Sequence, residues 1–210
     1  MGLAREQDGA VFVEATITMT IMLVFVLGSI DFLFAFYQWN LAAKALQTGA
    51  RIAAVSDPVA VGLNNLATAA AGSFPPGSGM PTFVVRCDGA SATCRCTGFC
   101  VGVAGYDAAA MDTIIFGRGS SSCSDATSVS NAGMCDLFPR IRAANIVIVY
   151  SQTDQGYVGR PGGPLPNISV ELQNLRFQFF FLGDLMKLRS INIVGSTATV
   201  AEDLSSRAPL

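Results

Sequence analysis

No histidine occurs in the 210 residues. Its absence excludes any His-based catalytic triad and removes the commonest metal ligand and general base. Charge is also scarce: Asp, Glu, Lys and Arg make up 13% of the chain, about half the usual ~25% of a soluble domain. The formal net charge of −2 gives no basic footprint for nucleic acid. No C-x-x-C pair is present, so the paired zinc pattern and the common redox motif are both missing. The glycines at 102–105 and 117–119 do not follow a phosphate-loop pattern and read as turns. Proline is absent between Met1 and Asp57, so nothing in that stretch forces a helix to stop.

What the chain does have is an apolar run from Gly9 to Trp39, GAVFVEATITMTIMLVFVLGSIDFLFAFYQW, without Lys or Arg and with only Glu14 and Asp31 charged. At 1.5 Å per helical residue, about 20 residues cross a ~30 Å hydrocarbon core, so length and composition predict a transmembrane helix. Glu14 stands five residues inside the run. A carboxylate at that depth is costly and is a functional candidate by default. The cluster Phe34, Phe36, Tyr37 and Trp39 suits a membrane interface. The leader MGLAREQDG carries one basic and two acidic residues and is not followed by a small-residue cleavage site, unlike a secretory signal. The cysteines on the C-terminal side favour an N-in orientation.

Residues 10 to about 55 read as one helix of nearly 70 Å, longer than a membrane, so its second half must stand outside and pack on something. Ala42, Ala43, Ala45, Gly49, Ala50, Ala53 and Ala54 permit close approach by another element. Asp57-Pro58 ends the helix. Residues 59–72 predict a second short helix, 73–81 a linker and 82–87 a strand. Residues 87–138 read as a Cys-rich, loop-dominated insertion. Strands are expected at 145–150, 168–172, 175–182 and 191–201, with a hairpin-like connection over 151–166; Phe179-Phe180-Phe181 breaks the alternation, which reads either as burial on both faces or as a switch to helix at 183–188. The tail 202–210 is polar. The expected fold class is α+β: a long N-terminal helix packed on a small antiparallel sheet, with a disulfide-stapled loop region.

Cys87, Cys94, Cys96, Cys100, Cys123 and Cys135 are even in number and lie in one segment, which predicts three disulfides in an oxidising compartment. Six cysteines allow fifteen pairings, and the sequence does not choose among them. Asp112, Asp125 and Asp136 could gather around a cation, but no D-x-D-x-D-G pattern supports it and they read as solvated loop acids. No metal, cofactor or catalytic residue is assigned. Asp31 and Arg51 are twenty residues apart, about 30 Å along one helix, too far to pair within a chain. Pairing between staggered neighbouring helices would set subunit register; the plainer reading is an interfacial Asp and an Arg pinned to the globular part.

The pattern Gly9-Ala10-Val11-Phe12-Val13-Glu14 ahead of an apolar run resembles the processing site of type IV prepilin-like proteins. That resemblance implies cleavage by a prepilin peptidase between Gly9 and Ala10, leaving Glu14 as the fifth residue of the mature chain. The wider stretch, with Gly9-Ala10, Val13-Glu14, Gly28-Ser29-Ile30-Asp31 and Ala42 through Gly49-Ala50-Arg51, resembles the TadE/TadG-like proteins of the tight-adherence (Tad) pilus system. A looser likeness extends to IVIVYS, PGGPLPNISVEL and INIVGSTATVAED. The family commonly has a Pro where Met19 and Thr20 stand here, and often a basic leader.

The resemblance implies a pilin-like minor pilin or pseudopilin, TadE-sized and not an enzyme. On that reading residues 1–9 are a leader, 10–57 a transmembrane helix and periplasmic spine, and 58–210 a periplasmic α+β domain. Gly9, Ala10 and Glu14 serve processing, and Asp31, Gly49 and Arg51 serve helix register or partner contacts. The implied partners are other pilin subunits, prepilin peptidase, inner-membrane lipid and the pilus assembly machinery. The alternative is an uncleaved single-pass protein whose periplasmic domain binds a ligand or partner, with Glu14 at headgroup level.

Overall fold

The structure, a computed structural model, describes residues 4–123, 131–153, 155–177, 179–181, 183 and 190–200. The first element, α1 (Ala4–Ala54), is a single helix of 51 residues. It begins earlier than the sequence reading placed it and runs straight through Gly9, because no proline or left-handed residue interrupts it. The chain divides into two compact units, one holding α1 up to Trp39 with residues 176–191, the other holding the remainder.

In the first unit, every side chain from Gly9 to Val26 is exposed, and the helix is long and apolar enough to cross a membrane. The hydroxyls in this stretch are satisfied locally. Thr16, Thr18, Thr20 and Ser29 donate to carbonyls three or four residues back, at 2.8–3.0 Å. A membrane-crossing helix must satisfy its polar groups internally, and back-bonding does so. From Leu27 onward a stripe of partly or fully covered residues begins: Leu27, Gly28, Asp31, Phe34, Ala35 and Gln38. Beyond the helix, β5 (Arg176–Phe177) and β6 (Ile191–Asn192) form a two-stranded ribbon. The longer strand expected over 175–182 stops after Phe177 among the residues described. Three consecutive phenylalanines cannot all face one side of a strand, and Phe179–Phe181 leave the ladder. The helix switch expected at 183–188 lies outside the described residues, apart from Gly183.

The second unit is built on an antiparallel sheet in the order β2-β1-β3-β4-β7, formed by β1 (Phe83–Asp88), β2 (Thr93–Gly98), β3 (Ile146–Gln152), β4 (Pro166–Leu172) and β7 (Ser196–Val200). Alternation sets its faces: Phe83, Val85 and Cys87 on β1 and Pro166, Ile168, Val170 and Leu172 on β4 are buried, while their neighbours are not. The expected strand over 191–201 is divided into β6 and β7 by residues 193–195. The last part of α1 buries Ala42, Ala45, Leu46, Gly49, Ala50, Ala53 and Ala54, the i, i+3, i+4, i+7 stripe of a core-facing helix. Small residues make the approach close: Gly49 abuts the side chain of Met134, and Leu46 abuts Gly195.

One expectation for this unit needs correction. Residues 59–72 are not one helix. Ala60 bridges Tyr106 in extended conformation, a 3-10 turn follows at Leu63–Asn65, and α2 (Leu66–Ala70) is a single short turn. The extended start is held because Val59 donates its N–H to the buried Tyr150 Oη at 3.1 Å and its carbonyl accepts from Asp107 N at 2.8 Å. The Cys-rich segment is the expected disulfide-stapled loop region, with short elements set into it. β2 is an edge strand, and two helices follow, α3 (Ala108–Phe116) and α4 (Met134–Leu137). The sequence TCRCTG hides a strand because an edge strand with exposed faces needs no apolar alternation. Asp107 caps α3 by accepting from Ala109 N and Ala110 N. Gly117 ends it at φ 88°, where a Cβ would run into the Asn131 carbonyl.

Candidate functional site

The residues singled out at the N-terminal end of α1 share one helix face. Gly9, Ala10, Val13, Glu14, Ile17 and Thr18 line a shallow exposed surface. Glu14 is exposed, and its carbonyl accepts the Thr18 hydroxyl at 2.9 Å. Gly9 has no local reason to be glycine. It is helical, its φ is not positive, and a Cβ built on it meets nothing within 4 Å. A glycine inside a helix costs about 1 kcal/mol relative to alanine, so here that cost is not offset by packing.

Asp31 is fully buried although it lies in the apolar run. Its Oδ1 accepts the Phe180 N–H at 3.2 Å and its Oδ2 accepts the Phe181 N–H at 2.9 Å. Sequence reasoning missed this pairing. The available signal was the Phe179-Phe180-Phe181 break in strand alternation, which leaves amides in need of acceptors. Rings of the same two segments pack on one another: Phe34 with Phe180 at 5.4 Å, Phe32 with Phe179 at 6.0 Å, and Phe177 with Phe179 at 5.0 Å between centroids.

Gly49 and Arg51 belong to the second unit. Gly49 is in the core against Met134, while Arg51 is exposed and lines a groove of about 620 Å³ with Gln47, Ala50, Ala54, Val55 and residues 197–200 of β7.

The six cysteines form three bridges. Cys87–Cys94 joins directly opposed residues of β1 and β2, Cys96–Cys100 ties β2 to the turn after it, and Cys123–Cys135 anchors the segment after α3 to α4. Among the described residues no group of three or more His, Cys, Asp or Glu is placed to hold a metal ion. Asp136 instead caps α4, accepting from Gly133 N at 2.8 Å, and Asp125 lies outside the described residues.

Away from the apolar helix, local environments shift titrating groups, Tyr150 and Asp88 among them. Burial raises the Tyr150 phenol well above its ordinary value, outweighing the opposing hydrogen bond from Val59 N–H. Burial tends to raise Asp88 as well. The Ala90 N–H, the Gln173 amide (2.6 Å), the Arg86 charge and the Ser91 N–H together outweigh it and hold Asp88 below the usual carboxylate value. Arg86 also pairs with Glu171 at 2.9 Å on the exposed sheet face, a contact worth little on its own.

Residues 9–51 match the family model described as TadE-like protein. The match coincides with α1 from Gly9 to Arg51 and includes Glu14, Asp31 and Gly49; the looser likeness of the later segments is not part of it. No curated protein and no solved structure matches the chain.

Proposed function

We propose that this chain is a minor pilin or pseudopilin of a Tad-type pilus system, acting by assembly rather than catalysis. Its α1 anchors the precursor in the bacterial inner membrane, with the disulfide-bonded unit on the periplasmic side. Prepilin peptidase removes residues 1–9, and the freed helix packs laterally against other pilin helices. The observation that carries this reading is Gly9. It lies in the stretch that matches the TadE-like family, and the fold itself gives no reason for a glycine there. A peptidase that must bring a backbone into its active site does give one. Glu14, exposed on the same face, is then available to a neighbouring subunit. A carboxylate in lipid is unfavourable until it meets a partner such as a new N-terminal amine.

The deciding measurement is the intact mass of the protein from cells with active prepilin peptidase. A chain beginning at Ala10, N-methylated or not, is the expected result. A chain that keeps residues 1–9 refutes the processing step and favours the uncleaved single-pass alternative.

A further inference from the structure

Exposed apolar side chains run along α1 from Val11 to Trp39, and just beyond Asp31 they are joined by others from outside the helix. Phe32, Leu33, Phe36, Tyr37 and Trp39 are exposed on the helix, and Phe180 and Phe181, at 64% and 45%, are exposed on the segment held beside it. That level has a definite depth. Asp31 is twenty-one residues from Ala10, about 31 Å along the helix axis, close to one hydrocarbon thickness. If α1 crosses a bilayer from near Ala10, Asp31 and the segment it holds lie at the opposite interface. A non-helical segment can enter that zone only if its amides have acceptors, because lipid supplies none. Phe180 and Phe181 satisfy this condition, since their N–H groups are bound by the two oxygens of Asp31. The carboxylate is at the same time shielded from lipid by its own burial.

We propose that residues 179–181 form a second membrane contact. Phe180 and Phe181 insert into the headgroup–acyl boundary of the phospholipid leaflet at the Asp31 end of the span, and Asp31 is the positioning residue that presents them. A bilayer is favoured as the occupant because the exposed rings continue the uncovered apolar surface of the helix, with Phe34 packed on Phe180 and Phe32 on Phe179. Aromatic rings are enriched at that depth. The contact turns a single-helix anchor into a two-point one and restricts rotation of α1 about its axis. It rests on the reading that α1 spans the membrane.

The test uses the full chain with Trp39→Phe in phospholipid vesicles, carrying one tryptophan introduced as Phe25→Trp or Phe181→Trp. Spin labels are placed either near the glycerol backbone or near the acyl-chain ends. Phe25→Trp is expected to be quenched mainly by the deep label. Phe181→Trp is expected to be quenched mainly by the shallow one and to resist aqueous acrylamide. If Phe25→Trp escapes the deep label, the span itself is wrong and the proposal falls with it. If it is quenched while Phe181→Trp responds to acrylamide like free tryptophan, the span stands and the second contact is overturned. Resistance of Phe181→Trp to both lipid labels and acrylamide would mean a protein cover, a second copy for instance, and also overturns it. Asp31→Leu should raise acrylamide access at Phe181→Trp severalfold, and Asp31→Asn, which keeps one of the two acceptor oxygens, should raise it less; no change in Asp31→Leu would remove Asp31 from the role.

Discussion

Gly49 gives the most direct test of how the second unit is held together. A Cβ built on it would lie 2.8 Å from Met134 Cγ, closer still to Sδ, and 3.1 Å from Cε. Comfortable contacts are about 3.5–4.0 Å, so the Met134 side chain would have to retreat, and it is fully buried. Overpacking of this kind costs about 1–3 kcal/mol, while exchanging a mid-helix glycine for alanine returns about 1 kcal/mol. Packing wins, and Gly49→Ala should destabilise by about 1 kcal/mol, a fall of about 2–4 °C in Tm for a chain of this size. Far-UV circular dichroism melts in detergent, under conditions where unfolding reverses, would read it. Met134→Ala alone should cost about 2–5 kcal/mol from the cavity it leaves. In that background Gly49→Ala should become neutral or stabilising, because its Cβ then has room. The cycle should therefore give a coupling of about 1–2 kcal/mol. A Gly49→Ala protein at least as stable as the parent with Met134 intact would refute the argument. If pilus assembly then failed at unchanged stability, Gly49 would serve a partner and not the core.

Three further outcomes follow from the geometry. Glu14→Ala should leave membrane insertion unchanged and abolish or sharply reduce piliation in cells; normal piliation would show that Glu14 has no register role. Because folding raises the Tyr150 pKa above its ordinary 10.0, its contribution is fully present below about pH 10 and is lost as pH rises toward the folded value. Tyr150→Phe should flatten that alkaline loss in denaturation curves while costing about 1–3 kcal/mol at neutral pH, since Val59 N–H then lacks its acceptor. Of the three bridges, Cys123–Cys135 closes the longest loop, with a separation of 12 residues. On the chain-entropy account its double serine variant should lose the most stability, up to about 3 kcal/mol, and peptide mapping of the parent should recover the three pairs with no free thiol.

The helix and most of the sheet were legible because their signals are local. Gly9–Trp39 is too long and too apolar to be anything but a helix, and NIVIVY and NISVEL alternate or saturate with β-branched residues. What could not be read depended on partners far away in the chain. Val59–Val61 looked helical by composition, yet Tyr150 and the residues 104–107 supply hydrogen bonds that draw it out straight. β2 was hidden because an edge strand made of Thr, Arg and Cys carries no apolar period. The burial of Asp31 was illegible for a similar reason: its acceptor role is fixed by amides 149 and 150 residues later. Gly9 and Gly49 look alike in the sequence, and only the space around each separates a glycine demanded by the core from one that the core does not need.

The bridges join the first cysteine to the second, the third to the fourth and the fifth to the sixth. With α1 held in the membrane N-in, the part that follows it is threaded across from its α1 end and delivers its thiols to the oxidising side in that same order. Each pair can close before the next arrives, and no thiol has to wait while a stranger is the only one within reach. Oxidation in order of emergence therefore gives the native set directly, and a thiol oxidase suffices where a nested or crossed pattern would also call for an isomerase to undo early mistakes.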